Sequence, residues 1–191
     1  VDAEWLISNK ESEGLRWLSP KKLAEQMENA EELDCPLPNA DLRSMLLFTT
    51  GTTGNSKGVV MHHKNDVAIA ENVMKGTQMK PGNVEIIPMP LNHSFGIRRY
   101  QSDMINGGTV CLMNGMAMIG NLWKVLEQYH AASMAISPAT LGMIFHLSDD
   151  RIAGYANQID YIQVGSAPLP ETDKEKLLRY LPHTRLYNFY G

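Results

Sequence analysis

From Val84 onward, short apolar runs alternate with amphipathic stretches at a spacing that few folds accommodate. The apolar runs lie at 84–87, 109–113, 133–136, 161–164 and 185–189. Each is short, and the first four have Gly, Pro, Asn or Ser on at least one side, which predicts buried strands. Helical segments are predicted between them, over 95–105, 120–130, 138–147 and 170–180. In the second of these, Leu122, Val125, Leu126 and Tyr129 fall on one face at the α-helical period. Pro138 and Pro170 suit the first turn of the segments they open, where a missing N–H costs nothing. Strands separated by helices pair in parallel and need cover on both sides. The reading is an α/β fold: a doubly wound, mostly parallel sheet with helices on both faces.

Before this region the pattern differs. Ser19 and Pro20 read as N-cap and first residue of a helix of about ten residues, with Leu23 and Met27 on one side. Pro36 and Pro38 break structure around Cys35. A buried strand is predicted at 45–48 and a second at 59–61, with a helix running from near Asn65 to about Lys75.

Between those two strands sits the most informative segment of the chain: Thr49, Thr50, Gly51, Thr52, Thr53, Gly54, Asn55, Ser56, Lys57 and Gly58. The glycines allow positive φ and close approach of the backbone to a ligand. The threonines add hydroxyl donors and Lys57 adds one positive charge. Backbone N–H groups, hydroxyls and an ammonium converging in a loop suit a polyphosphate. The common G-x-x-x-x-G-K-[ST] pattern does not fit, because Ser56 stands where its second glycine belongs and Gly58 follows Lys57. The plainer alternative is a flexible Gly/Thr turn in a hairpin.

Phe48 to Val59 resembles the signature of the adenylate-forming superfamily: acyl- and aryl-CoA synthetases, luciferases and peptide-synthetase adenylation domains. The usual form is Tyr/Phe-Thr-Ser-Gly-Thr-Thr-Gly-x-Pro-Lys-Gly-Val. Asp41-Leu42 stands where the family commonly has Asp-Leu before the strand. Thr50 replaces a serine and keeps its hydroxyl; Ser56 replaces a proline and is expected to loosen the loop before Lys57. The resemblance implies that Thr49, Thr50, Gly51, Thr52, Thr53, Gly54 and Lys57 hold the β- and γ-phosphates of ATP.

Three further segments carry the same resemblance. Pro90-Leu-Asn-His-Ser-Phe-Gly96 is similar to the family's Pro-Leu-x-His-x-x-Gly, which implies that His93 orients the acyl substrate. No Asp accompanies it in the manner of peptide-synthetase domains, which favours an amine-free carboxylic acid. Gly165-Ser-Ala-Pro-Leu169 resembles a turn lining the acyl and adenine pockets. Gly165 is then assigned to the acyl pocket, and Ser166, Ala167 and Pro168 to adenine. Tyr187-Asn-Phe-Tyr-Gly191 resembles the start of Tyr-Gly-x-Thr-Glu, so Tyr190 would stack on adenine beside Gly191. Asn92, Phe95 and Ile97 point to an apolar pocket nearby. Adjacent His62 and His63 are not read as a metal site, since neighbours on a strand point to opposite faces.

The implied whole is an ATP-dependent acid–thiol ligase of the acyl-CoA synthetase type, using Mg2+ and taking coenzyme A as co-substrate. The chain reads as an incomplete portion of its large domain. Residues 1–78 belong to a first subdomain with the phosphate-loop hairpin, and residues 79–191 to the second parallel-sheet subdomain, without the C-terminal lid. No catalytic residue is assigned with confidence, and the fragment is expected to be inactive and to self-associate through cut sheet edges. A stand-alone nucleotide-binding module and a peptide-synthetase-type fragment are the alternatives.

Composition limits the partners. With 20% charged residues and a net charge of −4, no basic patch exists to displace counterions, so nucleic-acid binding is not expected. No apolar run reaches membrane-spanning length. The acidic start is unlike a signal peptide, and its lack of an initiating Met fits an excised piece. Cys35 and Cys111 fit no metal-ligand spacing; Cys111 is expected to be a buried thiol, and two unpaired thiols point to the cytoplasm.

Overall fold

The computed structural model describes residues 5–11, 13–14, 16–31, 36–49, 56–113, 115–116 and 119–189. The chain divides into two compact units, Val1–Leu37 and Pro38–Gly191. The first unit holds two short parallel strands, β1 (Trp5–Ile7) and β2 (Arg16–Leu18), and helix α1 (Pro20–Glu28). Trp17 Nε1 donates to the Ser8 carbonyl at 2.9 Å and braces the turn between the strands. These strands were not expected: three residues are too few to show a two-residue period. The helix is as predicted at its start, with the Ser19 Oγ accepting from the Lys22 N–H.

The second unit begins with an antiparallel hairpin, β3 (Arg43–Phe48) and β4 (Gly58–His62), followed by α2 (His63–Thr77). Then come β5 (Val84–Ile87), α3 (Ser94–Ile105), β6 (Thr109–Leu112), α4 (Ile119–Tyr129), β7 (Ser133–Ile136) and α5 (Pro138–Ser148). A short 3-10 helix, Arg151–Tyr155, precedes β8 (Tyr161–Val164), α6 (Glu171–Tyr180) and β9 (Arg185–Asn188). The last five strands pair in parallel in the order β6-β5-β7-β8-β9. The chain thus leaves β5 in one direction and returns across it to β7, which creates a topological switch point between those two strands.

Side-chain period decides what each face of this sheet does. Ile86, Cys111, Met134, Ile162 and Leu186 are in register on one face. They pack with Leu122, Trp123 and Leu126 of α4, Leu141, Ile144 and Phe145 of α5, and Leu177 of α6. Each such buried side chain contributes roughly 1.5–3 kcal/mol, so this face supplies most of the unit's core energy. Cys111 is half-buried, less than expected, because β6 is an edge strand; burial still pushes its thiol pKa up. Pro170 caps α6 and Glu171 opens it, one residue later than predicted. β4 ends at His62, whose backbone N–H donates to the Asn65 Oδ1 at the start of α2. His62 and His63 therefore straddle a strand–helix junction and do not share a strand as supposed.

The opposite face carries a buried polar cluster beside Ile87 and Ala135. Glu85, Ser133 and Tyr161 lie in register there, beneath α3. Arg99 of α3 grips the Glu85 carboxylate with Nε at 2.6 Å and with Nη2, and also donates to the Tyr161 hydroxyl at 2.7 Å. The Tyr161 hydroxyl in turn donates to Glu85 at 2.6 Å. Asn83 reaches Ser133, Tyr161 and Asp103 with its amide. Burial works against the Arg99 charge, yet the Glu85 carboxylate prevails and holds its pKa above the ordinary value. At the start of β9, Arg185 donates to the Thr77 carbonyl at the end of α2 and pairs with Asp160 at 2.8 Å, so α2 is tied to the same side.

Asp103 completes the network and titrates within it. Burial, reinforced by the Glu85 carboxylate, pushes its carboxyl up to about 7, against the pull of Arg99 and the Asn83 amide. An unfolded carboxyl titrates near 3.8. The folded chain therefore prefers the protonated acid, and that contribution to stability is complete below pH 3.8 and is lost as pH rises through about 7. Asp103→Asn, fixed in the neutral form, is expected to be more stable than the parent at pH 8 by on the order of 2 kcal/mol. The gap should close below pH 4, read from urea midpoints; midpoints that track each other from pH 4 to 8 would remove Asp103 as the titrating group.

Candidate functional site

Two cavities open near the carboxyl ends of the parallel strands, the end at which doubly wound sheets bind ligands. One, of about 450 Å³, is walled by α2 through Ile69, Asn72 and Val73, by α3 through Phe95 and Arg99, and by Gln163, Gly165 and Phe189 from β8 and the ends of the strands. The other, of about 640 Å³, lies between the hairpin and the start of α3, with Phe48, Thr49, Val59 and Asn92 in its wall. His93, Ser94 and Arg98 line both.

His93 owes its place to helix capping. It is the N-cap of α3, with extended backbone, and its Nδ1 accepts the Phe95 N–H at 3.2 Å. That bond leaves Nε2–H as the ring's donor. The preceding turn is closed by the His93 N–H on the Pro90 carbonyl at 3.1 Å, and Ile97 N–H bonds back to the His93 carbonyl. Gly96 makes this possible: a Cβ there would stand 2.4 Å from the Pro90 oxygen. The spacing Pro90-x-x-His93-x-x-Gly96 is thus the geometry of one tight turn running into a helix.

The loop after β3 is anchored at its base. Thr49 N–H donates to the Lys57 carbonyl at 2.9 Å, and Lys57 N–H donates to the Thr49 hydroxyl at 3.1 Å. The Ser56 hydroxyl donates to the Thr49 carbonyl. Ser56 therefore fastens the loop by a bond proline cannot make, where a looser loop had been expected. Lys57 is exposed and lines neither cavity. Thr50, Gly51, Thr52, Thr53 and Gly54 lie outside the described residues, as do Tyr190 and Gly191.

The turn after β8 closes the other side. Gly165 N–H bonds to the Ile136 carbonyl, and a Cβ on Gly165 would meet the Phe95 ring at 3.4 Å. Ser166 takes a left-handed backbone, φ 74°, which costs a side-chain-bearing residue about 1–2 kcal/mol. Strain held at a cavity wall is characteristic of binding turns. Ser166 lines the smaller cavity, whereas exposed Ala167 and Pro168 line neither. Of the pocket residues suggested by sequence, Phe95 and Asn92 line a cavity and Ile97 does not.

The structure thus joins Thr49, His93, Gly165 and Ser166 through two cavities with a common wall. Sequence reasoning missed the contribution of α2, and it missed Arg99, Gln163 and Phe189. Gln163 had one visible signal, a polar residue inside the otherwise apolar run Tyr161–Val164.

The sequence model of the AMP-binding enzyme family matches residues 5–191. Among curated relatives, 4-coumarate–CoA ligase-like 6 of Arabidopsis thaliana is 25% identical over 194 residues, covering 97% of this chain and 34% of the relative. Its counterpart 4-coumarate–CoA ligase-like 3 is 24% identical over 80% of this chain and 28% of its own length. The chain therefore spans about a third of the curated relatives it matches. The N-terminal domain of FACL13 from Mycobacterium tuberculosis, solved with an inhibitor, superimposes with a TM-score of 0.78 at 19% identity, over 92% of this chain and 44% of that one. The o-succinylbenzoate CoA synthetase of Bacillus subtilis gives 0.76 at 20% identity, over 92% and 36%.

Gly96 gives the sharpest local test. In an open helix, Gly→Ala stabilises by roughly 1 kcal/mol. Here the added methyl collides with the Pro90 carbonyl, so Gly96→Ala is expected to destabilise by about 2 kcal/mol or more. A melting temperature equal to or above the parent's would show that the turn before α3 is not built this way.

Proposed function

The chain belongs to the family of AMP-binding enzymes, and on that footing we propose that it is the acid- and phosphate-binding portion of an ATP-dependent ligase joining a carboxylic acid to coenzyme A. The single observation that carries this reading is the common wall of the two cavities. It sets the base of the Thr49–Lys57 loop beside His93, and His93 beside the Gly165–Ser166 turn.

In this reading the acid occupies the smaller cavity with its carboxylate at His93, whose Nε2–H orients it. The nucleotide's phosphates lie over the hairpin loop, held by Thr49 to Lys57. The carboxylate attacks the α-phosphate, giving an acyl-adenylate and pyrophosphate, and the thiol of coenzyme A then takes the acyl group and releases AMP. This chain's own part is alignment and charge stabilisation at the loop. Among the described residues no three His, Cys, Asp or Glu side chains are grouped, so none is assigned to Mg2+. By the same reading the chain on its own binds nucleotide but does not complete the reaction. Cytoplasmic residence rests on the two cysteines, which lie far apart in the sequence.

Calorimetric titration of this chain with MgATP tests the loop. Binding is expected, with a loss of tenfold or more in a Lys57→Ala/Thr53→Ala double variant. Equal binding by both proteins would place the phosphates elsewhere. Self-association belongs to the same reading: Phe48, Val59 and Val60 leave about half of their surface exposed on a two-stranded hairpin. Sedimentation should show a dimer at high concentration, and a monomer throughout would count against it.

A further inference from the structure

Arg98 and Arg99 are neighbours on α3 and meet opposite fates. Successive residues of a helix point roughly 100° apart. Arg99 is completely buried and its charge is matched by Glu85. Arg98 is exposed and lines both cavities. Its guanidinium has no hydrogen bond, ion pair or ring contact among the described residues. A cation in water needs no partner; what distinguishes this one is its company.

Two more donors share its wall. Ser94 stands four residues before Arg98, so the two lie on one face of α3, about 6 Å apart along its axis. Ser94 also lines both cavities, and its hydroxyl has no partner among the described residues. His93 lines both as well, with its Nε2–H left over from the capping bond. Against these three donors, no Asp or Glu among the described residues lines either cavity. Arg98 therefore supplies an unmatched positive charge where the cavities meet. Unpaired donors with no carboxylate among them suit an anion, and a guanidinium matches a carboxylate with two parallel N–H groups.

We infer that Arg98, assisted by Ser94, binds the reacting carboxylate of the acid and holds it at the wall facing the nucleotide. This rests on the acid occupying the smaller cavity, as argued above, and adds a full charge to the neutral donor of His93. The position suits the reaction. Carboxylate and α-phosphate are both anions, and a cation that lines both cavities lowers the repulsion between them as they approach.

The test is calorimetric binding to this chain, at neutral pH, of hexanoate, octanoate and benzoate, of their uncharged amides, and of AMP. Arg98→Met removes the charge at similar length, and Arg98→Lys keeps it. Because the guanidinium is exposed and unpaired, both variants should melt with the parent. Gly165→Val narrows the smaller cavity against the Phe95 ring. The expected result is at least one acid binding the parent about tenfold or more tightly than its amide. Arg98→Met should abolish that preference without weakening the amide, and Arg98→Lys should retain part of it. An acid preference unchanged in Arg98→Met, or a loss confined to AMP, would overturn the inference; acid binding that is still lost in Gly165→Val would leave the acid-pocket reading intact. Failure of every acid to bind, or acid binding indifferent to Gly165→Val, would remove the acid-pocket reading and the inference with it.

Discussion

The buried pairing of Glu85 with Arg99 is the interaction on which the rest of the site depends. β5 presents Glu85 on a face that also carries Ser133 and Tyr161, and Arg99 of α3 reaches down to it. Such a pair is weak evidence of net stability, since desolvation of both charges offsets their attraction. Its value here is positional. With Arg99 held, α3 has one rotation and one height above the sheet, and its N-cap His93 is fixed where the two cavities meet. Removing either partner would leave a buried charge, so the arrangement tolerates no half measure.

This polar face contrasts with the one covered by α4, α5 and α6. There the packing is apolar and non-directional, and substitutions that conserve volume are tolerated. On the α3 side, orientation is set by hydrogen bonds with defined donors and acceptors, reaching from Asn83 to Asp103. The sheet thus has a face that supplies cohesion and a face that supplies alignment. The smaller cavity opens on the second face, which is why its inner wall holds an arginine and a glutamine.

The switch point explains why the loop and the turns converge. Because β6 and β7 lie on either side of β5, the segments leaving β5 and β7 diverge around a crevice at their carboxyl ends. The hairpin reaches that crevice through α2, which packs beside α3. Gly96 and Ser166 mark where the backbone is forced: the first by close approach to Pro90, the second by a left-handed conformation.

The strand and helix positions from Val84 onward were legible because short apolar runs alternate with helical periods and most of the boundaries carry Gly, Pro, Asn or Ser. The Gly/Thr loop, Pro90–Gly96 and Gly165–Leu169 were legible because backbone constraints restrict which residues fit. The strands β1 and β2 escaped notice because three residues carry no period. What only the tertiary structure decided is long-range: that strand order reverses at β5, that Arg99 meets Glu85 and Tyr161, and that Gln163 lines a cavity together with residues of α2 and α3. Local sequence governs backbone geometry and burial pattern. Which buried polar group faces which depends on register and crossover between segments up to 78 residues apart, and no local pattern encodes that.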